Sequence, residues 1–368
     1  MPLPLLGALL LAIGLAAAVA LYRPPPDVPA AGWSGDPSSP GRRRWWDGQA
    51  WTPRVADGAE PPGRPRRFHG RFWGGWVWVL AAAIVVSVGG GALYLSGENV
   101  RLLAVTSFAG MALTCWAAYR FTARQIGLDD AVSPLQVIAA TVAGAGSTLL
   151  VAMSLNDLVI GHWGIARAVN LVGFIEEGAK YLVPIALFLV GRYRNPRAGI
   201  GVGLGAGFGF AITETTLYAF ETLAASGPNL CGTETVVTAQ GVVQEQLLRI
   251  FTVSPLHWMW TATAVAIGWR LWRVYGRRGT VGALGGLLLV MVIHSFNDTT
   301  TTFGCGSPIA GFLWTVVRWG ILLGSYLLFK AMLARNTPPT LVGHVSRGWT
   351  PRRLPPARPG DGGDGGER

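Results

Sequence analysis

The chain has 368 residues, of which 51% are hydrophobic and only 13% are charged. Apolar stretches long enough to cross a bilayer recur along most of it, which predicts an all-α polytopic membrane protein and excludes a buried parallel sheet, whose strands would be shorter. The net charge of +11 does not indicate nucleic-acid binding. The Lys and Arg residues occupy short segments between apolar stretches, as they do in the cytoplasmic loops of membrane proteins.

The first apolar stretch runs from Leu3 to Tyr22 and is followed at once by Arg23. No basic side chain precedes it, so residues 1–22 are predicted to be a retained membrane anchor with the N-terminus outside the cell. The sequence Ala-Val-Ala at 18–20 leaves a cleaved signal peptide as the alternative.

Residues 23–72 form a predicted cytoplasmic linker that is rich in Pro, Gly and Arg. Within it, residues 32–52 carry Trp33, Trp45, Trp46 and Trp51 close to a run of Arg, and they resemble a short Trp-rich module of unknown function from actinobacterial membrane proteins. Such Trp and Arg residues suit a small aromatic cluster, a patch against anionic lipid or a docking site. A simple tether with aromatic anchors is an equal alternative.

Beyond the linker, residues 73–335 are predicted to form one multi-helix domain, and residues 336–368 a disordered cytoplasmic tail. With the anchor, about eight to nine transmembrane helices are expected. The eight stretches after the linker are Trp76–Leu95, Val100–Tyr119, Leu135–Asn156, Ala168–Val190, Gly199–Phe220, Phe251–Trp272, Val281–Asn297 and Ile309–Leu333.

Basic residues mark the cytoplasmic loops of a membrane protein, and here they fall in alternate loops. The pattern predicts a multi-pass protein of the cell membrane with its N-terminus outside and its C-terminus in the cytoplasm. Cys231 and Cys305 then lie in external loops, where a disulfide bond between them is one hypothesis and two free thiols are the other.

Four of the predicted helices contain Glu or His side chains, although an ionisable group costs roughly 2.5–3.5 kcal/mol on membrane insertion scales and is by default functional. At 1.5 Å per residue, Glu176, Glu214 and His257 lie roughly 9–12 Å from the outer helix ends. The sequence therefore predicts one site in the outer half of a four-helix core at residues 168–298. Its ionisable members are Glu176, Glu177, Lys180, Glu214, His257, His294 and Asp298.

Helical spacing refines this prediction. His294 and Asp298 are four residues apart and share one face, and Glu176 and Lys180 have the spacing of an ion pair. Glu177 points about 100° away from Glu176, so at most one of these two glutamates is expected to touch a reacting water. Alternating glycines from 199 to 209 predict close packing of the helix that carries Glu214.

The motifs Glu176-Glu177-x-x-Lys180, Phe210-Ala211-x-x-Glu214, a membrane His257 and His294-x-x-x-Asp298 occur in this order. Together they resemble the PrsW family of intramembrane proteases, within the CAAX protease superfamily. The resemblance implies hydrolysis of a peptide bond in a membrane-anchored protein such as an anti-sigma factor. It also implies a catalytic set, which comprises Glu176, Glu177, Glu214, His257, His294 and Asp298.

The resemblance leaves the reaction chemistry open. The family is usually classed as metalloproteases, and His257, His294 and Glu214 form a candidate ligand set for zinc. The superfamily also admits a metal-free reaction, in which a Glu paired with a His activates water while the other His and Asp298 stabilise the oxyanion. No HExxH motif is present, and the chemistry slightly favours the metal-free arrangement.

Two other functions agree with buried carboxylates and histidines. A proton- or ion-coupled transporter would need inverted repeats and a site near the membrane midplane, neither of which is evident. A non-catalytic adaptor would be expected to have lost motif residues, whereas every motif position is filled. The predicted partners are therefore a membrane-anchored protein substrate and the lipid bilayer, without nucleic acid.

Overall fold

A computed structural model describes residues 2–22, 32–39, 42–46, 51–55, 75–224, 227–228, 234–235, 237–303 and 307–336. This part of the chain is almost entirely helical, as predicted for an all-α polytopic membrane protein. Its helices are α1 Leu3–Ala20, α2 Gly75–Gly97, α3 Val100–Ile126, α4 Pro134–Ser147, α5 Met153–Trp163, α6 Ile165–Leu189, α7 Pro196–Ala224, α8 Ala239–Leu248, α9 Ser254–Tyr275, α10 Gly279–Phe303 and α11 Pro308–Asn336.

Two pairs of these helices are joined by a π-helical turn rather than by a loop. Thr148–Ala152 connects α4 to α5, and Arg249–Val253 connects α8 to α9. The start predicted at Phe251 for the helix that carries His257 was therefore too late. The continuous helix begins at Ala239, where Thr238 Oγ1 accepts a hydrogen bond from the Gly241 amide.

Eight helical segments of the described chain are long and apolar enough to cross a membrane, which confirms a multi-pass membrane protein. Helix α6 is not among the eight, yet its 25 residues span about 37 Å. It differs because Glu176, Glu177 and Lys180 interrupt its apolar sequence. The eight segments are Leu3–Ala20, Gly75–Gly97, Val100–Ile126, Pro134–Trp163, Pro196–Glu221, Ala239–Arg273, Gly279–Thr299 and Pro308–Leu333.

Helix α7 packs against α9 on one face and against α4 on another, and its alternating glycines face both neighbours. A Cβ at Gly207 would lie 2.5 Å from the Cα of Trp258 in α9. A Cβ at Gly209 would lie 2.1 Å from the backbone oxygen of Thr141 in α4. The predicted close packing is therefore present, and it holds Glu214 inside the bundle.

Helix α1 packs against α4 through glycines on both helices. A Cβ at Gly14 would lie 2.3 Å from the backbone nitrogen of Ala143. The end of α1 is also tied to the bundle, because Tyr193 Oη donates a 2.6 Å hydrogen bond to the Ala18 carbonyl and Gln136 Nε2 donates one of 2.7 Å to the Leu21 carbonyl.

The linker contains an antiparallel sheet in the order β1 Gly32–Gly35, β2 Arg43–Trp46 and β3 Trp51–Val55. Asp36 forms a 2.9 Å ion pair with Arg44 across the turn between the first two strands. Two further strands, β4 Gly227–Pro228 and β5 Glu234–Thr235, pair between α7 and α8. Cys231, Cys305 and the predicted tail beyond 336 lie outside the described residues.

Candidate active site

Helices α6, α7, α9 and α10 bring the predicted site residues into one buried cluster. Helix α9 contributes His257 and α10 contributes His294, and the centroids of the two imidazole rings are 5.2 Å apart. Glu176 and Glu177 approach these rings from α6, and Glu214 approaches from α7. Both histidines and both α6 glutamates are buried. Residues spread over more than a hundred positions therefore share one small volume.

Glu177 lies at the centre of the polar contacts. Lys180 Nζ donates a 2.6 Å hydrogen bond to Glu177 Oε1, and His294 Nδ1 lies 2.9 Å from the same oxygen. Thr261 Oγ1 donates to Oε2 at 3.5 Å. The predicted ion pair between Lys180 and Glu176 is therefore wrong. Lys180 instead turns toward α9, where its Nζ also contacts His257 Nδ1 at 2.8 Å.

Glu176 has different surroundings from those of its neighbour. Asn156 Nδ2 of α5 donates a 3.2 Å hydrogen bond to Glu176 Oε1. Glu176 Oε2 is buried, lies 3.6 Å from His294 Nε2, and has no hydrogen-bond partner among the described residues. One glutamate is thus fully engaged by protein, whereas the other keeps a buried oxygen that can accept a hydrogen bond.

Glu214 belongs to the opposite side of the cluster. Its Oε2 lies 2.9 Å from His257 Nε2 and 3.5 Å from Arg249 Nη1. One turn earlier on α7, Phe210 stacks near the His257 ring, with 4.8 Å between ring centroids, and lies 4.0 Å from Lys180 Nζ. Helix α7 therefore supplies both a carboxylate and an aromatic wall to the site.

Asp298 lies one turn beyond His294 on α10. Its Oδ2 is 3.5 Å from His294 Nε2, so the predicted i, i+4 pair does share one face. Asn297 Nδ2 donates to Asp298 Oδ1 at 3.1 Å. His294 consequently has Glu177 on its Nδ1 side and two carboxylates, Glu176 and Asp298, on its Nε2 side.

Sequence reasoning missed two residues of this site, Asn156 and Arg249. Asn156 follows the first π turn, and Arg249 begins the second. A π turn breaks the 3.6-residue period, so helical patterns did not assign either side chain to the cluster. The spacing of Glu245 and Arg249 could have indicated Arg249, because residues four apart on a helix can form an ion pair. In the structure these two do so at 3.0 Å.

Three side chains group as candidate metal ligands within the described residues. One ligand atom each from Glu176, His257 and His294 lie within 4.8 Å of one another. The zinc ligand set predicted from the sequence has the same two histidines but contains Glu214 in place of Glu176. Glu214 instead contacts His257 Nε2, one of the ring atoms that would bind the metal.

The hydrogen bonds around the two histidines decide how well these three residues fit a metal. His294 fits, because Glu177 accepts from Nδ1 and leaves the Nε2 lone pair available. His257 does not, because the Lys180 ammonium can only donate, so His257 Nδ1 must accept and Nε2 must carry the proton. The three residues therefore do not make a complete ligand set in this arrangement.

Comparison with protein families gives two matches. A family model described as "PrsW family intramembrane metalloprotease" matches residues 133–328, more than half of the chain and the whole of the candidate site. A second model, described as "Protein of unknown function (DUF2510)", matches residues 31–66, which include the Trp-rich linker. No curated protein and no solved structure matches the chain.

Proposed function

The chain belongs to the PrsW family of intramembrane metalloproteases, and from this premise we propose that it cleaves a membrane-anchored protein with a water molecule activated by Glu176. The carrying observation is the buried Oε2 of Glu176, which has no hydrogen-bond partner among the described residues. A general base must be free to accept the proton of water, and Glu177 is not. Lys180 and His294 occupy its Oε1, and the Thr261 hydroxyl donates to its Oε2.

Asn156 and His294 prepare Glu176 for this role. The hydrogen bond from Asn156 to Oε1 fixes the carboxylate plane, so that Oε2 faces the histidines. Water bound there would lie beside Glu176 Oε2 and His294 Nε2, which are 3.6 Å apart and therefore close enough for one water to contact both. Glu176 takes one proton from this water while the oxygen of the water attacks the carbonyl carbon of the scissile peptide.

The attack leaves negative charge on the former carbonyl oxygen, and His257 supplies the donor for it. Lys180 fixes the tautomer in which His257 Nε2 carries a proton. That N–H has no hydrogen-bond partner in the described chain, although Glu214 Oε2 lies within 2.9 Å. A preorganised donor in a buried site stabilises an oxyanion more than the same donor does in water.

Collapse of the tetrahedral intermediate breaks the C–N bond and requires a proton on the leaving nitrogen. The proton that Glu176 has taken from water can pass to this nitrogen directly or through His294 Nε2. Asp298 and Glu177 orient the His294 ring from its two sides. The balance is complete without any further reactant, since one water is added across one peptide bond.

A divalent metal would polarise the carbonyl and lower the pKa of a bound water, if Glu176 and His294 held it. The Lys180–His257 contact argues against His257 as a third ligand in the arrangement described above. We therefore assign the protein to the glutamate type, in which the reaction proceeds without a metal. A substrate with a single membrane anchor, such as an anti-sigma factor, suits a site embedded in a helical bundle.

We also propose that the site opens toward the outside of the cell. Glu176 lies near the middle of α6, and Glu214 and His294 lie in the halves of α7 and α10 that are remote from the basic loop of Arg192 and Arg194. Basic short loops are cytoplasmic, so this end is external and the C-terminus is cytoplasmic. Residues 1–22 as a retained anchor, 23–72 as a cytoplasmic linker and 73–335 as the protease domain agree with this orientation.

The test is cleavage of single-pass model substrates by purified protein in lipid vesicles. Glu176→Gln is expected to lower kcat about 10²- to 10⁴-fold while leaving the thermal unfolding midpoint unchanged. The matched control is Glu221→Gln, an exposed glutamate on α7 that should retain full activity. Wild-type cleavage by Glu176→Gln would contradict the assignment of the base.

Metal analysis separates the glutamate type from the metalloprotease type. We expect purified wild-type protein to contain less than stoichiometric zinc and to keep its activity in a strong chelator. One bound zinc per chain that is lost in His294→Ala, together with chelator inhibition reversed by zinc, would overturn the glutamate type. It would leave the site and the peptidase activity in place.

A further inference from the structure

Arg249 is the only basic residue outside the motifs that is buried in the described part of the chain. Its side chain is only 10% exposed, and a guanidinium so buried is tolerated only when it is paired. Three groups surround it. Glu245 Oε1 lies 3.0 Å from Nε, Glu214 Oε2 lies 3.5 Å from Nη1, and the Tyr218 ring centroid lies 3.1 Å from the guanidinium carbon.

The π turn explains how Arg249 reaches the site. In a regular α-helix, residues eight positions apart, such as Arg249 and His257, differ in direction by about 80°. The π turn Arg249–Val253 lies between them. It accommodates one extra residue, which removes about 100° of this rotation and places both side chains on one face. Both therefore point at the same neighbour, Glu214.

The contact between these residues is specific to a single atom. Glu214 Oε2 is the oxygen closest to both His257 Nε2, at 2.9 Å, and Arg249 Nη1, at 3.5 Å. All three atoms are buried, and none completes a hydrogen bond within the described chain. Glu214 Oε2 thus lies between the guanidinium of Arg249 and the Nε2 edge of the His257 imidazole.

We propose that Arg249 is a positioning residue for the reaction, which holds Glu214 beside His257 and is itself fixed by Glu245. This inference rests on the proposed function, because it concerns the orientation of the His257 donor. Without the guanidinium, the Glu214 side chain would be free to change its conformation. Its Oε2 would then move away from His257 Nε2. Arg249 touches neither substrate nor reacting water in this scheme.

A purely structural ion pair is the alternative, and kinetics distinguish the two. We expect Arg249→Gln to lower kcat about 10- to 100-fold with KM changed less than about two-fold, because misorientation affects the transition state more than binding. Arg249→Lys should restore part of kcat, since it keeps the charge. Arg167→Gln, an exposed arginine near the start of α6, is the matched control and should behave as wild type.

A double-mutant cycle tests the route through Glu214. If Arg249 acts through Glu214, the Arg249→Gln/Glu214→Gln variant should be no slower than Glu214→Gln alone. Independent, multiplicative losses would overturn the inference. So would a change in KM alone, which would make Arg249 a substrate contact. A thermal unfolding midpoint lowered without any loss of kcat would show a structural brace only.

Two further measurements keep the outcome decisive. Should Arg249→Gln fail to fold, Arg249→Lys and Glu245→Gln provide the same test. Glu245→Gln serves because it removes the ion pair that fixes the Arg249 guanidinium. Glu176→Gln is assayed in parallel. Loss of activity in Glu176→Gln with wild-type kcat in the Arg249 variants would overturn this inference alone, whereas wild-type activity in Glu176→Gln would overturn the proposed function.

Discussion

Lys180 of α6 contacts His257 of α9 with 2.8 Å between Nζ and Nδ1. The same Nζ lies 2.6 Å from Glu177 Oε1, so one ammonium joins the two sides of the site. Because an ammonium only donates, it determines which nitrogen of His257 carries the proton. The buried ammonium of Lys180 therefore fixes the tautomer of the neighbouring His257 imidazole.

The first prediction concerns this ammonium. Lys180→Met should destabilise the protein by about 3–5 kcal/mol, because it leaves the Glu177 carboxylate buried and without its counter-charge. The double variant Lys180→Met/Glu177→Gln removes both charges and should recover most of that loss in thermal unfolding while remaining inactive. Equal destabilisation of the single and double variants would contradict the pairing.

Asn156 provides the second prediction. Asn156→Ala removes the hydrogen bond to Glu176 Oε1 and should lower kcat by about ten-fold, the equivalent of one hydrogen bond of about 1.4 kcal/mol. Asn170→Ala is the control, since Asn170 accepts a hydrogen bond from Thr299 near the surface. Equal kcat in the two variants would show that Asn156 does not orient the base.

The third prediction tests the close packing of α7. Gly209→Ala would place a Cβ 2.1 Å from the Thr141 backbone oxygen, and backbone cannot yield as a side chain can. We expect the free energy of unfolding to fall by about 1–3 kcal/mol, which would be measured as a lower thermal unfolding midpoint. Gly285→Ala in α10 meets no atom within 4 Å and should not destabilise. A neutral Gly209→Ala would mean that the two helices are further apart.

The fourth prediction concerns the N-terminal helix. Signal cleavage near residues 18–20 would remove a helix that is part of the packed bundle, since Ala18 is fully buried and its carbonyl accepts a hydrogen bond from Tyr193 Oη. We expect intact-mass measurement of the purified protein to find residues 1–22 still attached. A mature chain that starts near residue 21 would show that α1 is removed.

The helices and most residues of the buried cluster followed from sequence, for a simple reason. Apolar runs of membrane length have few alternative structures, and charged residues such as Glu176 and Asp298 within them need one another. The same reasoning missed α8 and its continuation into α9, because an apolar run shows where lipid contact begins and not where the helix begins. It also assigned Lys180 to Glu176, since spacing along one helix contains no information about neighbouring helices.

The sequence by itself determined that α6, α7, α9 and α10 must share a polar interior, because isolated charges are unstable in lipid. Only the tertiary structure decided the individual partners. Packing of α9 against α6 brings Lys180 to His257, and a π turn brings Arg249 to Glu214. These contacts depend on helix rotation and on angstrom distances between elements far apart in the chain, which residue periodicity cannot specify.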